Sequence, residues 1–317
     1  MPPKLIFGAA SFGMNFTTPT QVQDVLNFLK ENRIIQLDTA GRYPPNCPGR
    51  SEELLGEVHA TSQGFTIDTK VLAQSKGNRG GMRRDAVETS LRTSLRRMGV
   101  EQVNTLHIHM PDLETPLKEQ AEALNYLYQQ GKFKRLGVSN FQPELLQEFL
   151  DICEANGYVK PTVYQGDYSA VTRGMEKKLL PILRQHGIVY NAFRTLASGF
   201  LSGKLTHGSA EGTRFDAGSP IGKLMQSLYN QESLHNALRR LEVTTRSLHI
   251  TTIDAALRWA YYHSRLREED GIILGASSID QIRSNVESIN RGPLPEECVK
   301  AFEDIWRELE PVRGEIL

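Results

Sequence analysis

Eight short runs of apolar and β-branched residues, most closing on a polar residue, alternate along the chain with longer stretches of helical period. This alternation limits the fold more than any other feature. The runs are Leu5–Ala9, Ile34–Asp38, Phe65–Lys70, Asn104–His109, Arg135–Val138, Thr162–Gln165, Ile188–Phe193 and Gly271–Leu274. Between them lie amphipathic segments such as Gln21–Asn32, Arg83–Met98, Leu117–Gln130, Glu144–Asn156, Glu176–His186 and Ile253–Ser264, with stop signals at Gly131, Gly157 and Gly187. Alternating strands and helices imply a parallel sheet, and eight units close a barrel, whereas a doubly wound sheet usually has about five or six strands. The predicted class is α/β, a single (β/α)8 TIM barrel, with an open sheet carrying extra strands as the alternative. No linker, charge block or low-complexity stretch divides the 317 residues, so the chain reads as one domain, 1–317.

In such a barrel the chemistry lies at the C-terminal ends of the strands. Those ends carry Asp38, Lys70, His109, Ser139 with Asn140, and Gln165. Taken singly, each reads as a solvated strand end. Together, five successive strands ending in polar groups point to a site, because buried charges are costly unless paired. Tyr43 follows Asp38 by one turn of loop and can reach the same rim, although it also reads as an ordinary loop tyrosine. A free phenol titrates near 10, and a neighbouring ammonium favours its anion, so a Lys70 held charged by Asp38 would make Tyr43 a better acid.

His107 and His109 are two apart on one strand and point to one side, which is the geometry of a His-x-His metal site. The later strand ends supply no further histidine. The competing reading has His109 as an uncharged hydrogen-bonding group and His107 as a packed residue. Gly8–Gly13 lacks the GxGxxG spacing, Gly199–Lys204 is too short for a P-loop, and Gly137–Phe141 lacks the second glycine of a GxSxG elbow. Residues 194–204 and 275–285 nevertheless offer small residues, backbone donors and cations after the last two strands, where barrels often bind phosphate. A glycine turn and a capped helix start explain them equally well.

Charge excludes other classes. The chain has 37 Lys+Arg against 37 Asp+Glu, so neither nucleic acid nor an anionic membrane is an expected partner. No run approaches the roughly 20 apolar residues of a membrane span. Cys47, Cys153 and Cys298 lie far apart with no metal-knuckle spacing, which suits a reducing, cytoplasmic setting.

In these motifs the chain resembles the aldo-keto reductases, most closely the branch containing aflatoxin-aldehyde and succinic-semialdehyde reductases. The matching stretches are Asp38-Thr-Ala-x-x-Tyr43, Ser51-Glu-Glu-Leu-Leu-Gly56, Thr69-Lys70, His109-x-Pro-Asp112, Gly137-Val-Ser-Asn-Phe141 and Tyr164-Gln-Gly166. Gly199-x-Leu-x-Gly-Lys204, Ile273-Leu-Gly-x-Ser-Ser278 with Gln281 and Asn285, and Gly292-Pro-Leu294 continue the order. The resemblance implies a barrel that binds extended NADPH (NADP after reaction) and reduces a small-molecule carbonyl. Under it, Tyr43 is the general acid, Lys70 tunes it, Asp38 partners Lys70 and His109 orients the carbonyl. Ser139, Asn140 and Gln165 hold the carboxamide, and Phe193 stacks on the nicotinamide. Arg194, Leu196, Ser198, Gly199, Leu201, Gly203 and Lys204 wrap the pyrophosphate, and Ser277, Ser278, Gln281 and Asn285 meet the adenosine and its 2′-phosphate. Phe12, Met14, the loop after Tyr43, Met110 and residues from Arg214 to Tyr229 are expected to line the substrate pocket. A homodimer is an admissible assembly.

Some positions depart from the branch. Arg194-Thr195-Leu196 replaces its usual Asn-Pro-Leu or Ser-Pro-Leu, and the Arg194 guanidinium is expected either to pair with phosphate or to face solvent or a loop carboxylate. The loop after Tyr43 is longer than usual, and neither Lys nor Arg occupies the family's usual adenosine-phosphate positions. Starting almost at its first strand, the chain is expected to lack the N-terminal hairpin of other branches, and its last stretch, Glu310 to Leu317, departs from the branch's C-terminal substrate contacts. These departures keep a second reading open: a cofactor-binding interaction protein that senses redox state with vestigial catalysis. A His107/His109 metal hydrolase is the third.

Overall fold

Each of the eight apolar runs becomes a parallel strand in the computed structural model, which describes residues 1–72, 80–208 and 210–315. The strands are β1 (Lys4–Gly8), β2 (Gln36–Asp38), β3 (Thr66–Lys70), β4 (Val103–Ile108), β5 (Phe133–Ser139), β6 (Pro161–Asp167), β7 (Val189–Phe193) and β8 (Gly271–Leu274). They pair in sequence order, and β1 pairs with β8 through Leu5 against Ile272 and Ile6 against Ile273, which closes the barrel. The fold is a (β/α)8 barrel, and an open sheet is excluded by that last pairing.

The helices are α1 (Pro19–Glu31), α2 (Arg50–Glu57), α3 (Arg84–Met98), α4 (Leu117–Gln129), α5 (Pro143–Asn156), α6 (Met175–Lys178), α7 (Leu180–Gln185), α8 (Pro220–Tyr229), α9 (Glu232–Ser247), α10 (Thr252–Arg258), α11 (Ile279–Asn290) and α12 (Glu296–Arg313). α1 shows how local chemistry sets an element. Thr18 accepts from the Gln21 backbone, the Gln21 side chain accepts in return, and Pro19 starts the helix with its φ already suited to it. Val22, Val25, Leu26 and Leu29, spaced three and four apart, are buried on one face.

Two helical expectations are corrected. The segment 176–186 is two pieces, α6 and α7, because Pro181 has no N–H to donate into the preceding turn. The segment 253–264 is α-helical only to Arg258 and continues as a π-type turn over Trp259–His263. Of the terminal stretch 310–317, its last two residues lie outside those described. Among the described residues no helix is long and apolar enough to cross a membrane.

The barrel interior is partly polar. Register places Asp38 beside Asp68, Asp68 beside Thr105, and Lys70 beside His107. His107 is fully buried and fills the space left by Gly137 on β5, where an added Cβ would come within 2.2 Å of its Nδ1. Gly137→Ala is therefore expected to lower stability by roughly 1–3 kcal/mol through overpacking. In a His107→Ala background the penalty should largely disappear, and thermal melting of the four proteins checks it; an unchanged penalty in that background would refute the contact.

Candidate active site

Lys70 and Asp38, the last residues of β3 and β2, form the centre of the rim. The Lys70 ammonium donates to both Asp38 carboxylate oxygens at 2.7 and 2.8 Å and to the Thr39 carbonyl at 2.7 Å, and both side chains are almost wholly buried. Burial alone would drive the lysine towards its neutral form. The charge of Asp38 and the proximity of Tyr43 outweigh it, and the Lys70 pKa is raised. Gln165 adds its amide nitrogen to Asp38 at 2.7 Å, which ties β6 to the same carboxylate.

Tyr43 hangs over this pair. Its ring centroid lies 5.0 Å from the Lys70 ammonium, and its ring meets the His109 imidazole edge-on at 5.7 Å and 88°. The backbone that carries it is held by the start of α2: Gly49 and Ser51 N–H groups both donate to the Tyr43 carbonyl at 3.1 Å. α2 is itself bolted down, because Ser51 donates to the Ala9 carbonyl and shares a bond with Thr39, while the buried Glu52 accepts from Thr69 and Arg97. One helical turn thus joins the ends of β1, β2 and β3 beneath Tyr43. The Ser51–Gly56 motif marked this helix in the sequence without showing that role.

His109 follows β4 directly. Burial first, then the charges of Lys70 and Arg42, push its pKa down to about 3, so the imidazole is neutral at ordinary pH. Its Nδ1 is buried without a protein partner. Ser139 closes β5, and Asn140, in left-handed conformation (φ 62°), donates from its amide to the His109 carbonyl and the Ser139 hydroxyl, both at 3.0 Å. Asp38, Tyr43, Lys70, His109, Ser139, Asn140 and Gln165 therefore meet on one rim. A neutral imidazole, a phenol and a buried ammonium around one opening can orient a carbonyl oxygen and deliver a proton to it.

The two phosphate-type loops also converge. Phe193 ends β7 half-buried, and after it Arg194, Ala197, Ser198 and Gly199 all have left-handed φ values of 58°, 51°, 60° and 98°. Three of the four are not glycine, and such strain concentrates at ligand-binding turns. Ser198 Oγ is buried with no protein partner, as an oxygen waiting for an external donor or acceptor would be. Leu196 and Gly199 are half-buried and Lys204 is exposed, while Leu201 and Gly203 are buried and could reach a ligand through the backbone. After β8, Ser278 caps α11 by accepting from Gln281 N–H, and the Gln281 carbonyl returns bonds to Ser277; Asn285 is buried one turn on. The capped helix start is thus real, and it leaves a helix N-terminus at the rim.

Of the two expectations for Arg194, the structure shows the carboxylate: Nη1 donates to Asp167 at 3.0 Å. Among the substrate-pocket residues, Phe12 is corrected. It is fully buried, packed on Phe7 and Phe16, and supports the pocket from behind. Met14 is exposed and Met110 half-buried, as wall residues would be. Arg214 is exposed. Among the described residues no group of three His, Cys, Asp or Glu side chains comes together as a metal site. His107 packs inside the barrel against Gly137, and the metal-hydrolase reading is not favoured.

Comparison with known proteins points the same way. The family model described as Aldo/keto reductase family matches residues 4–307. An aldo-keto reductase of Pseudocercospora fijiensis is 35% identical over 288 residues, covering 89% of this chain and 96% of its own. The oxidoreductase sirO of Leptosphaeria maculans is 34% identical, covering 96% and 94%. Aflatoxin B1 aldehyde reductase member 2 of Rattus norvegicus is 32% identical, covering 96% and 84%.

Because Asp38 compensates a fully buried ammonium, Asp38→Asn is expected to destabilise the fold by about 3–5 kcal/mol, the usual effect of breaking a buried pair. Denaturant unfolding at neutral pH measures it, and a change under about 1 kcal/mol would show that Lys70 is not held charged by Asp38.

Proposed function

The chain belongs to the aldo/keto reductase family and is a nicotinamide-dependent oxidoreductase of carbonyl compounds, and we propose that it reduces an aldehyde or ketone with NADPH while Tyr43 supplies the proton. The observation that carries this reading is the buried Asp38–Lys70 pair beneath Tyr43 and a neutral His109. The rat relative's name concerns an aldehyde, and an aldehyde is our preferred substrate class here.

In this reading NADPH supplies the hydride that the carbonyl carbon receives. His109, neutral, donates a ring N–H to the carbonyl oxygen and aims it at Tyr43. Tyr43 gives its phenolic proton to that oxygen as negative charge grows there, and Lys70 stabilises the phenolate left behind. Asp38 keeps the ammonium charged and in place, and α2 keeps Tyr43 over it. For the cofactor, the left-handed residues Arg194 and 197–199, the Ser198 hydroxyl and the α11 N-terminus suit phosphates, and Phe193, Ser139, Asn140 and Gln165 suit the nicotinamide end. The exposed Ser277 and Gln281 at the α11 start are our basis for preferring NADPH to NADH. We read residues 1–317 as one working domain in a reducing, cytoplasmic setting, which the three unpaired cysteines suit.

The redox-sensing alternative draws on the Arg194-Thr195 departure and the altered loops; the family match and the named reductases among the relatives do not favour it.

Tyr43→Phe is expected to lower turnover of reactive aldehydes at least about a hundredfold while leaving NADPH binding unchanged, since only the acid is lost. Stopped-flow rates with fluorescence titration check both; retained turnover would remove Tyr43 from its role. Because His109 titrates only near 3, the pH dependence of kcat/KM should contain no limb from this group between about pH 5 and 8. An acid limb in that window that vanishes in His109→Gln would contradict its neutrality.

A further inference from the structure

We propose that Asp167 is a positioning residue for the cofactor: it holds the Arg194 guanidinium folded back over Phe193, so that the unused N–H groups of that guanidinium meet the pyrophosphate of the bound nucleotide. This rests on the reading that the chain binds a nicotinamide dinucleotide.

Asp167 is the last residue of β6 and lies in register with Phe193, the last of β7. Arg194 follows at once in left-handed conformation, a strained backbone for a non-glycine residue. The guanidinium carbon then lies 5.2 Å from the centre of the Phe193 ring, and Nη1 donates to Asp167 Oδ2 at 3.0 Å. The Arg194 side chain keeps 33% of its surface exposed, so an anion can reach the guanidinium.

Asp167 is only 7% exposed, and its other oxygen has no partner. Burial raises its pKa, and Arg194 opposes that shift. A carboxylate buried at such cost has one hydrogen-bonded partner in the described structure, Arg194. The fork of an arginine has five N–H donors and Asp167 engages one, so the guanidinium can bond an anion without leaving the carboxylate. Fixing a side chain that otherwise loses substantial rotamer freedom on binding is what favours the complex. Asp167 therefore orders Arg194 and does not compete with phosphate for it. The strained run that starts at Arg194 and the unpartnered Ser198 hydroxyl mark where the pyrophosphate lies.

Pyrophosphate is common to NADPH and NADH, so both should respond alike. Dissociation constants are measured by quenching of protein fluorescence and by calorimetry for the parent, Asp167→Asn, Arg194→Ala and the double variant. Each single variant is expected to weaken NADPH and NADH alike by about tenfold, as for loss of one charge-assisted hydrogen bond. The double variant should bind no more weakly than Arg194→Ala, and adenosine 2′-monophosphate, which carries no 5′-phosphate, should bind all four equally. Unchanged or tighter binding in Asp167→Asn, additive effects, or a loss confined to NADPH would overturn the proposal. A parent that binds neither dinucleotide would instead overturn the cofactor reading beneath it. If Asp167→Asn fails to fold on thermal melting, Arg194→Lys decides: it keeps the charge and the Asp167 contact but not the fork. Severalfold weaker binding of both dinucleotides supports the proposal, and parental affinity overturns it.

Discussion

A lysine ammonium with 1% of its side chain exposed is the constraint from which the rest of this barrel's architecture follows. Desolvating such a charge costs several kcal/mol even after relaxation, so it persists only where a carboxylate and further acceptors surround it. Asp38 and the Thr39 carbonyl do so for Lys70, and Gln165 in turn supports Asp38 from across the barrel. Strand ends that would be apolar in a purely structural barrel are polar here for that reason. The need reaches lower as well: Asp68, beside Asp38 in register, takes amide donors from Gln36 and Asn104 at 2.6 Å each, and burial still raises its pKa.

The chain is neutral overall but not at its rim. Lys70 and Arg194 are paired with Asp38 and Asp167, while Arg42 and Arg214 lie near enough for His109 to feel the one and Arg194 the other. Together with burial, the Lys70 and Arg42 part of this positive charge keeps His109 neutral. It also makes the mouth attractive to a nucleotide carrying several negative charges, which balanced bulk composition alone would not do.

Strand count, strand order and the polar ends could be read from the sequence because each depends on local periodicity and on the residue that closes a run. What could not be read depends on distant residues meeting. Glu52 reaches Thr69 and Arg97, and Ser51 reaches back to Ala9, so the clamp beneath Tyr43 joins four separate segments. Phe12 is placed by the rings of Phe7 and Phe16, on which it packs, whereas Met14 two residues on is exposed. Asp167 carried no signal at all; only the register of β6 against β7 brings it to Arg194. The residues gathered on the rim were nevertheless recognisable in advance, since a parallel barrel sends every strand terminus to the same side.

The pairing of β1 with β8 also bears on how the molecule is made. Its first strand finds its second neighbour only when residues 271–274 have left the ribosome. Until then the ring is an open sheet with bare edges on β1 and on the latest strand, the kind of surface that recruits other chains. Asp38 and Lys70 precede β8 in the chain, so the ring that encloses their ion pair can close only after both have long been made.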